Sequence, residues 1–255
     1  MTTQRTEGSL YTSIVNGIAT IEFGHPASNS FPSSLLDRLT KELHRISTIE
    51  EVSVVILKSE GEKAFCAGAS FYELVAIDNL EDGKKFFSGF ANVINAMRTC
   101  SKLIIASVQG KAIGGGVGLI AACDYVLATE AASIKLSEIS IGIGPFVIAP
   151  AIERKIGVSG LAELTMAATE WKNAYWAEKK GLYSKVFETS KELTKETEYL
   201  AEKLASYNPE ALTEMKKVFW IGTDNWNSLL LERAEITGKL VLSDFTKKAL
   251  SKFKK

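Results

Sequence analysis

Glu138 stands between Ser137 and the apolar run "ISIGIGP", at the end of the strand-like "SIKL". A carboxyl group in such surroundings can exchange a proton near neutral pH, because desolvation disfavours its charge. A solvated carboxylate beside a turn at Ser137 is the plainer alternative. Upstream lies "KAIGGGVGL", residues 111–119, with glycine at 114, 115, 116 and 118. Glycine weakens helix and strand alike, so this density needs a cause. A strand-like run, 103–108, precedes it and a small-residue helical run, 119–123, follows. A strand, a glycine turn and a helix leave backbone N–H groups unpaired beside a positive helix end. Such a place can bind a phosphate or stabilise an oxyanion formed during reaction.

A second loop bears on that choice. "KAFCAGASFYEL", residues 63–74, also follows a buried strand and carries the small residues Ala67, Gly68 and Ala69. Two such loops can offer two N–H donors to one oxygen, about 3 Å away, as acyl chemistry requires. The rival phosphate reading rests on residues 116–121, which fit G-x-G-x-x-A with Glu138 about twenty positions on. That fingerprint normally opens a first βαβ unit, whereas this one sits mid-chain. A tight turn with no ligand is the third reading.

The elements that must hold these loops alternate between strand and helix. Asn16-Gly17 joins two apolar runs, 10–15 and 18–23, as a hairpin signal. Ser33-Ser34 opens a helix with Leu35, Leu36, Leu39, Leu43 and Ile46 on one face. His44 falls on its polar side. Residues 52–59 read as a buried strand, "GEKAFCAGASF" as a loop, and 81–99 as a long helix whose phenylalanines are core. Strands follow at 103–108, 125–128 and 133–136, then helices at 150–156, 159–168 and 173–180 and a strand at 183–187. Helices at 190–206, 209–221 and 225–242 and a basic tail complete the chain. The class is α/β with a helical end.

Composition narrows the function. Thirty basic and thirty acidic residues give a net charge of zero, against a general nucleic-acid binder. No apolar run reaches bilayer length and the first residues lack a secretory signal, so a soluble, cytoplasmic protein without a membrane partner is expected. Cys66, Cys100 and Cys123 fit neither a disulfide framework nor a zinc pattern and read as buried thiols; two histidines exclude a multi-histidine metal site.

In order along the chain, "KAFCAGASFYEL", "LIIASVQGKAIGGGVGLIAACDYVLAT", "SIKLSEISIGIGP" and "WAEKKGLYSKVF" resemble the crotonase, or enoyl-CoA hydratase/isomerase, superfamily. The resemblance covers roughly residues 10–190 and, more faintly, the helical end. It implies a spiral of ββα units (the crotonase/ClpP-like fold), with a core over 1–190 and a C-terminal helical region over 191–255 belonging to the same fold. It implies an oxyanion hole made by the N–H groups of Ala69 and Gly115 around the carbonyl of an acyl-CoA thioester. Glu138 would be the acid and base. Ala67, Gly68, Gly114, Gly118, Pro145 and Phe146 would border the substrate. Coenzyme A enters as part of the substrate; no metal or redox cofactor is implied, and the family builds trimers and hexamers.

Three departures matter. Family hydratases commonly use two glutamates, and the first falls here on Gly118. One carboxylate suits double-bond isomerisation, by removing an α or γ proton and returning it elsewhere; hydration by Glu138 alone stays open if a polar group or water network helps, and so does a weakly catalytic acyl-CoA binder. Ser70 replaces the usual aspartate after A-G-A. Phe146-Val147-Ile148-Ala149-Pro150 replaces a glycine-rich stretch, reshaping the acyl site or packing the core. Asp124 reads as structural, and Trp171 and Trp176 as packing. Lys63, Lys254 and Lys255 could meet the phosphates of coenzyme A, and Phe253-Lys254 loosely resembles a family pair near its adenine, or the tail could be solvated.

Overall fold

The structure is a computed structural model that describes residues 7–252. Phe253, Lys254 and Lys255 therefore lie outside the described residues. β1 (Ser9–Val15) and β2 (Ile18–Gly24) form the expected hairpin, with Asn16 and Gly17 both at positive φ. This is the backbone that an Asn-Gly turn supplies. β3 (Val54–Ser59), β5 (Leu103–Val108), β7 (Tyr125–Thr129) and β9 (Lys185–Phe187) extend it into a six-stranded sheet of order β1-β2-β3-β5-β7-β9. β4 (Ala64–Cys66), β6 (Lys111–Ile113) and β8 (Ile134–Lys135) make a second, three-stranded sheet.

The spiral arises because each turn gives its first strand to the large sheet and its second to the small one. β3 and β5 are buried on both faces, as parallel strands under two layers must be. Val55, Leu57, Ile104 and Ala106 face the main core. Val54, Ile56, Leu103 and Ile105 face the other way, onto Leu193 and Ala201 of a C-terminal helix. The helices, in chain order, are α1 (Ser33–Ser47), α2 (Phe71–Ala76), α3 (Leu80–Thr99), α4 (Gly115–Ala122), α5 (Ala149–Met166), α6 (Ala174–Lys179), α7 (Ser190–Ala205), α8 (Pro209–Phe219), α9 (Trp226–Leu240) and α10 (Asp244–Ser251). The apolar face of α1 is buried throughout. The α3 phenylalanines Phe86 and Phe90 are core.

Four elements, β4, β6, α2 and α10, differ from the sequence reading. The "GEKAFCAGASF" segment is not all loop: it holds β4, and α2 begins at its end. A three-residue strand is too short to show a period, and it exists because β6 pairs with it. The helices expected at 150–156 and 159–168 are both present: the span labelled α5 is two helices meeting at Gly157, whose φ of 70° is not helical. The basic tail contains α10, whose Thr246 is fully buried. Its start was marked by Ser243, whose Oγ accepts from the Thr246 amide and caps the helix.

A buried polar knot fixes the helical end to the core. Asp124 Oδ2 accepts from Lys216 Nζ at 2.6 Å and from the Ile104 amide at 2.8 Å. Its Oδ1 accepts from Trp220 Nε1 at 2.8 Å. Asp124 is structural, as the family resemblance implied. Among the described residues, no helix is long and apolar enough to cross a membrane.

Candidate active site

The three strands of the small sheet are parallel, so their C-terminal ends lie side by side. After β4 come Ala67, Gly68 and Ala69; after β6 come Gly114 and Gly115; after β8 come Ser137 and Glu138. All seven border one cavity of ≈ 190 Å³. Each glycine of the central run has its own reason to lack a side chain. Gly114 has φ +53°, and a Cβ there would stand 2.8 Å from Glu138 Oε1. A Cβ on Gly115 would meet the Phe90 ring at 2.3 Å, and one on Gly116 would meet Cys66 at 2.7 Å. At Gly118 it would meet Ile148 Cγ2 at 2.4 Å. Gly116 and Gly118 are thus glycine for packing, with protein filling the space that the dinucleotide reading reserves for a pyrophosphate.

Two amides on the cavity wall have no partner among the described residues. Phe31 N donates to Gly68 O at 2.7 Å and Ser70 N to Phe31 O at 2.9 Å, which pins the loop on both sides of Ala69. Gly114 N donates to Lys135 O, while Val117 N and Gly118 N donate to Gly114 O, which pins both sides of Gly115. The N–H groups of Ala69 and Gly115 themselves donate to nothing among the described residues. The loops touch: a Cβ on Gly68, at φ +86°, would lie 3.0 Å from Ile113 O and 3.5 Å from Gly115 N. Ser70, in the position where an aspartate is usual, caps α2 through Oγ to the Glu73 amide.

Glu138 opens a 3-10 turn, Glu138–Ile141, closed by Gly142 at φ +87°. The residue keeps some exposure, but its Oε2 is buried and has no hydrogen-bond partner among the described residues. Burial pushes its carboxyl up to about 7, against a partial offset from backbone groups of Glu138 and Ser137. Among the described residues it is the one ionisable side chain on the cavity wall; Ser137 and Thr237 are the others with polar groups. An isolated carboxyl poised near neutrality, beside unpaired amides, can take a proton from carbon and give it back while the amides hold the charge.

The remaining wall is apolar. Phe87 and Phe90 come from α3, Phe71 and Leu74 from α2, and Ile141, Ile143, Pro145, Val147 and Ile148 from the segment after Glu138. Phe146 and Gly118 are not on the wall. The Phe146 ring lies over Gly144, and Ile148 covers Gly118. Of the reshaped stretch, then, Val147 and Ile148 reach the cavity and Phe146 does not. Thr237 of α9 was not foreseen. It arrives because α9 crosses α3 closely, a Cβ on Gly83 standing 3.0 Å from Gly238 Cα; a lone threonine in a helix carries no signal of that crossing. Trp171 and Trp176 lie off the wall, Trp171 beneath Lys111 and Lys135. The three cysteines are buried free thiols, and burial pushes Cys66 and Cys123 up to about 12. Among the described residues no cluster of three or more His, Cys, Asp or Glu could hold a metal.

Residues 13–253 match the family model described as enoyl-CoA hydratase/isomerase. The chain is 30% identical over 239 residues to the short-chain-enoyl-CoA hydratase of Clostridium acetobutylicum, covering 92% of this chain and 90% of that protein. It is 31% identical over 193 residues to a peroxisomal Delta(3,5)-Delta(2,4)-dienoyl-CoA isomerase of Arabidopsis thaliana, covering 70% and 68% of the two chains. The fold is similar to that of the enoyl-CoA hydratase from Bacillus halodurans, with TM-score 0.88 at 20% identity over 95% of this chain and 99% of that one.

Proposed function

This chain belongs to the enoyl-CoA hydratase/isomerase family, and from that premise we propose that it moves a proton on an enoyl-CoA thioester with Glu138 as its only acid and base. The thioester carbonyl sits between the N–H groups of Ala69 and Gly115. Glu138 takes a proton from the α or γ carbon, the electron pair moves onto the carbonyl oxygen, and the two amides stabilise that oxyanion. The protonated carboxyl then returns the proton to the far end of the dienolate, which shifts the double bond. The observation that carries this reading is the buried Glu138 Oε2 on the same small wall as two amides, all three without a partner among the described residues.

Isomerisation suits the site best, because Ile148 fills the space that a side chain at position 118 would need. Hydration is the second reading, favoured by the Clostridium relative, which is named a hydratase. It requires water placed by Ser137 or Thr237 opposite Glu138. Turnover of 2-enoyl-CoA and 3-enoyl-CoA by the wild type and Glu138→Gln separates the readings. Interconversion of the two, lost in the variant, is the expected result. A 3-hydroxyacyl-CoA product lost in the variant establishes hydration by one glutamate. Binding of acyl-CoA with no turnover of any kind leaves only a binder. Family membership also leads us to propose assembly as trimers or hexamers, which sedimentation in solution reads directly.

A further inference from the structure

We propose that helix α10 is a positioning strap, with Thr246 and Leu250 as positioning residues that set where the Glu138 carboxyl stands. The inference rests on Glu138 as the acid and base. The connection runs through the backbone. The amides of Gly142 and Ile143 donate to Ile139 O and Glu138 O, both at 3.1 Å, and so close the turn that carries the glutamate. α10 lies directly on that closure: a Cβ on Gly142 would stand 2.5 Å from both Phe245 Cδ1 and Thr246 Oγ1. Thr246 is fully buried, and Ser243 holds it by a cap bond to its amide and by a hydroxyl contact to Oγ1 at 3.1 Å.

The same helix joins an apolar cluster that reaches the opposite loop. Leu250 and Val241 form a cluster with Leu74, Phe86 and Ile143, and Ala69 and Ile141 pack against it. Thus one small apolar cluster touches the loop of the Ala69 amide and the turn of Glu138. A helix seated on both can hold donor and acid in register, and a displacement of about 1 Å costs on the order of a hundred-fold in rate. The charges around Glu138 do not compete for this role. Asp244, Lys247 and Lys248 of α10 are exposed. On α5, Arg154 bonds Phe219 O, Lys155 bonds Asp124 O and Glu163 pairs with Lys180; Glu153 is exposed. Before the turn, Lys135 lies over Trp171.

The test is made on the full chain with Thr246→Ala, Leu250→Ala, the milder Phe245→Ala, and Leu250→Met as the conservative rescue. Leu193→Ala, in the separate cluster under the large sheet, controls for general loss of stability. Two readouts are taken on folded protein: the titration midpoint of Glu138 by carboxyl-carbon NMR without substrate, and kcat and KM with an enoyl-CoA. In the strap variants the midpoint should fall from about 7 toward the ordinary 4.5, with kcat down on the order of ten- to a hundred-fold and KM little changed. Leu250→Met and Leu193→Ala should keep the wild-type midpoint. Strap variants that merely melt earlier, with an unmoved midpoint, overturn the proposal, as does a wild-type midpoint already near 4.5. If no protein turns over any enoyl-CoA, the functional reading fails, and the midpoints alone still decide the strap.

Discussion

Replacing Glu138 by glutamine should stabilise the protein at pH 8 and change it little at pH 5. The carboxyl is held at about 7 in the folded chain against an ordinary 4.5. Between those values the folded state keeps a proton that the unfolded state has released, so stability falls as pH rises through that window. The advantage of the neutral form is fully present below pH 4.5 and is lost above about pH 7. At about 1.4 kcal/mol per pH unit the whole penalty is about 3 kcal/mol. Glu138 is partly exposed, and water reaching the open cavity reduces the penalty to about 2 kcal/mol. Glutamine has the shape of the protonated acid and no proton to lose. Urea titrations of both proteins at pH 5 and pH 8, extrapolated linearly, measure the difference. Other titrating groups cancel in the comparison. A difference between the two proteins that is the same at both pH values, or a wild type that gains on the variant as pH rises, would show that the folded chain does not hold the Glu138 carboxyl above its ordinary value.

Further outcomes follow from the same contacts. Gly118→Val should destabilise by about 1–3 kcal/mol through its clash with Ile148, and Ile148→Ala in the same chain should recover most of that loss; a thermal-denaturation double-mutant cycle checks the coupling. Gly114→Ala, at φ +53° and against Glu138 Oε1, should lower kcat on the order of a hundred-fold while acyl-CoA affinity holds, as steady-state kinetics and calorimetry will show. Lys216→Met should cost about 3–5 kcal/mol in urea titrations, because it leaves the buried Asp124 carboxylate without its cation.

The two site loops and their order were legible because small residues after a buried strand have few other uses. The four clustered glycines marked the place, but the sequence could not divide their tasks. Gly114 and Gly115 face the cavity, whereas Gly116 and Gly118 admit Cys66 and Ile148. That division depends on partners fifty and thirty residues away in the chain, which no local pattern records. Glu138 was legible from its apolar surroundings; Phe146, put beside the substrate by the resemblance, lies off the cavity wall with its ring over Gly144, a turning of one side chain that no local pattern records. α10 is hidden in the sequence because Lys247 and Lys248 give it the look of a basic tail and only Thr246 and Leu250 of its eight residues are buried. β4 and β6 escaped notice as strands because three residues show no alternation.

On the proposed function, Glu138 alone carries the proton. The most direct measurement is deuterium incorporation at the α carbon of an enoyl- or acyl-CoA in deuterated water, by wild type and Glu138→Gln, with thioester affinity measured on both. The expected result is exchange by the wild type, its loss in the variant and unchanged affinity. Exchange that persists in Glu138→Gln, or a wild type that binds the thioester and never exchanges, would contradict it.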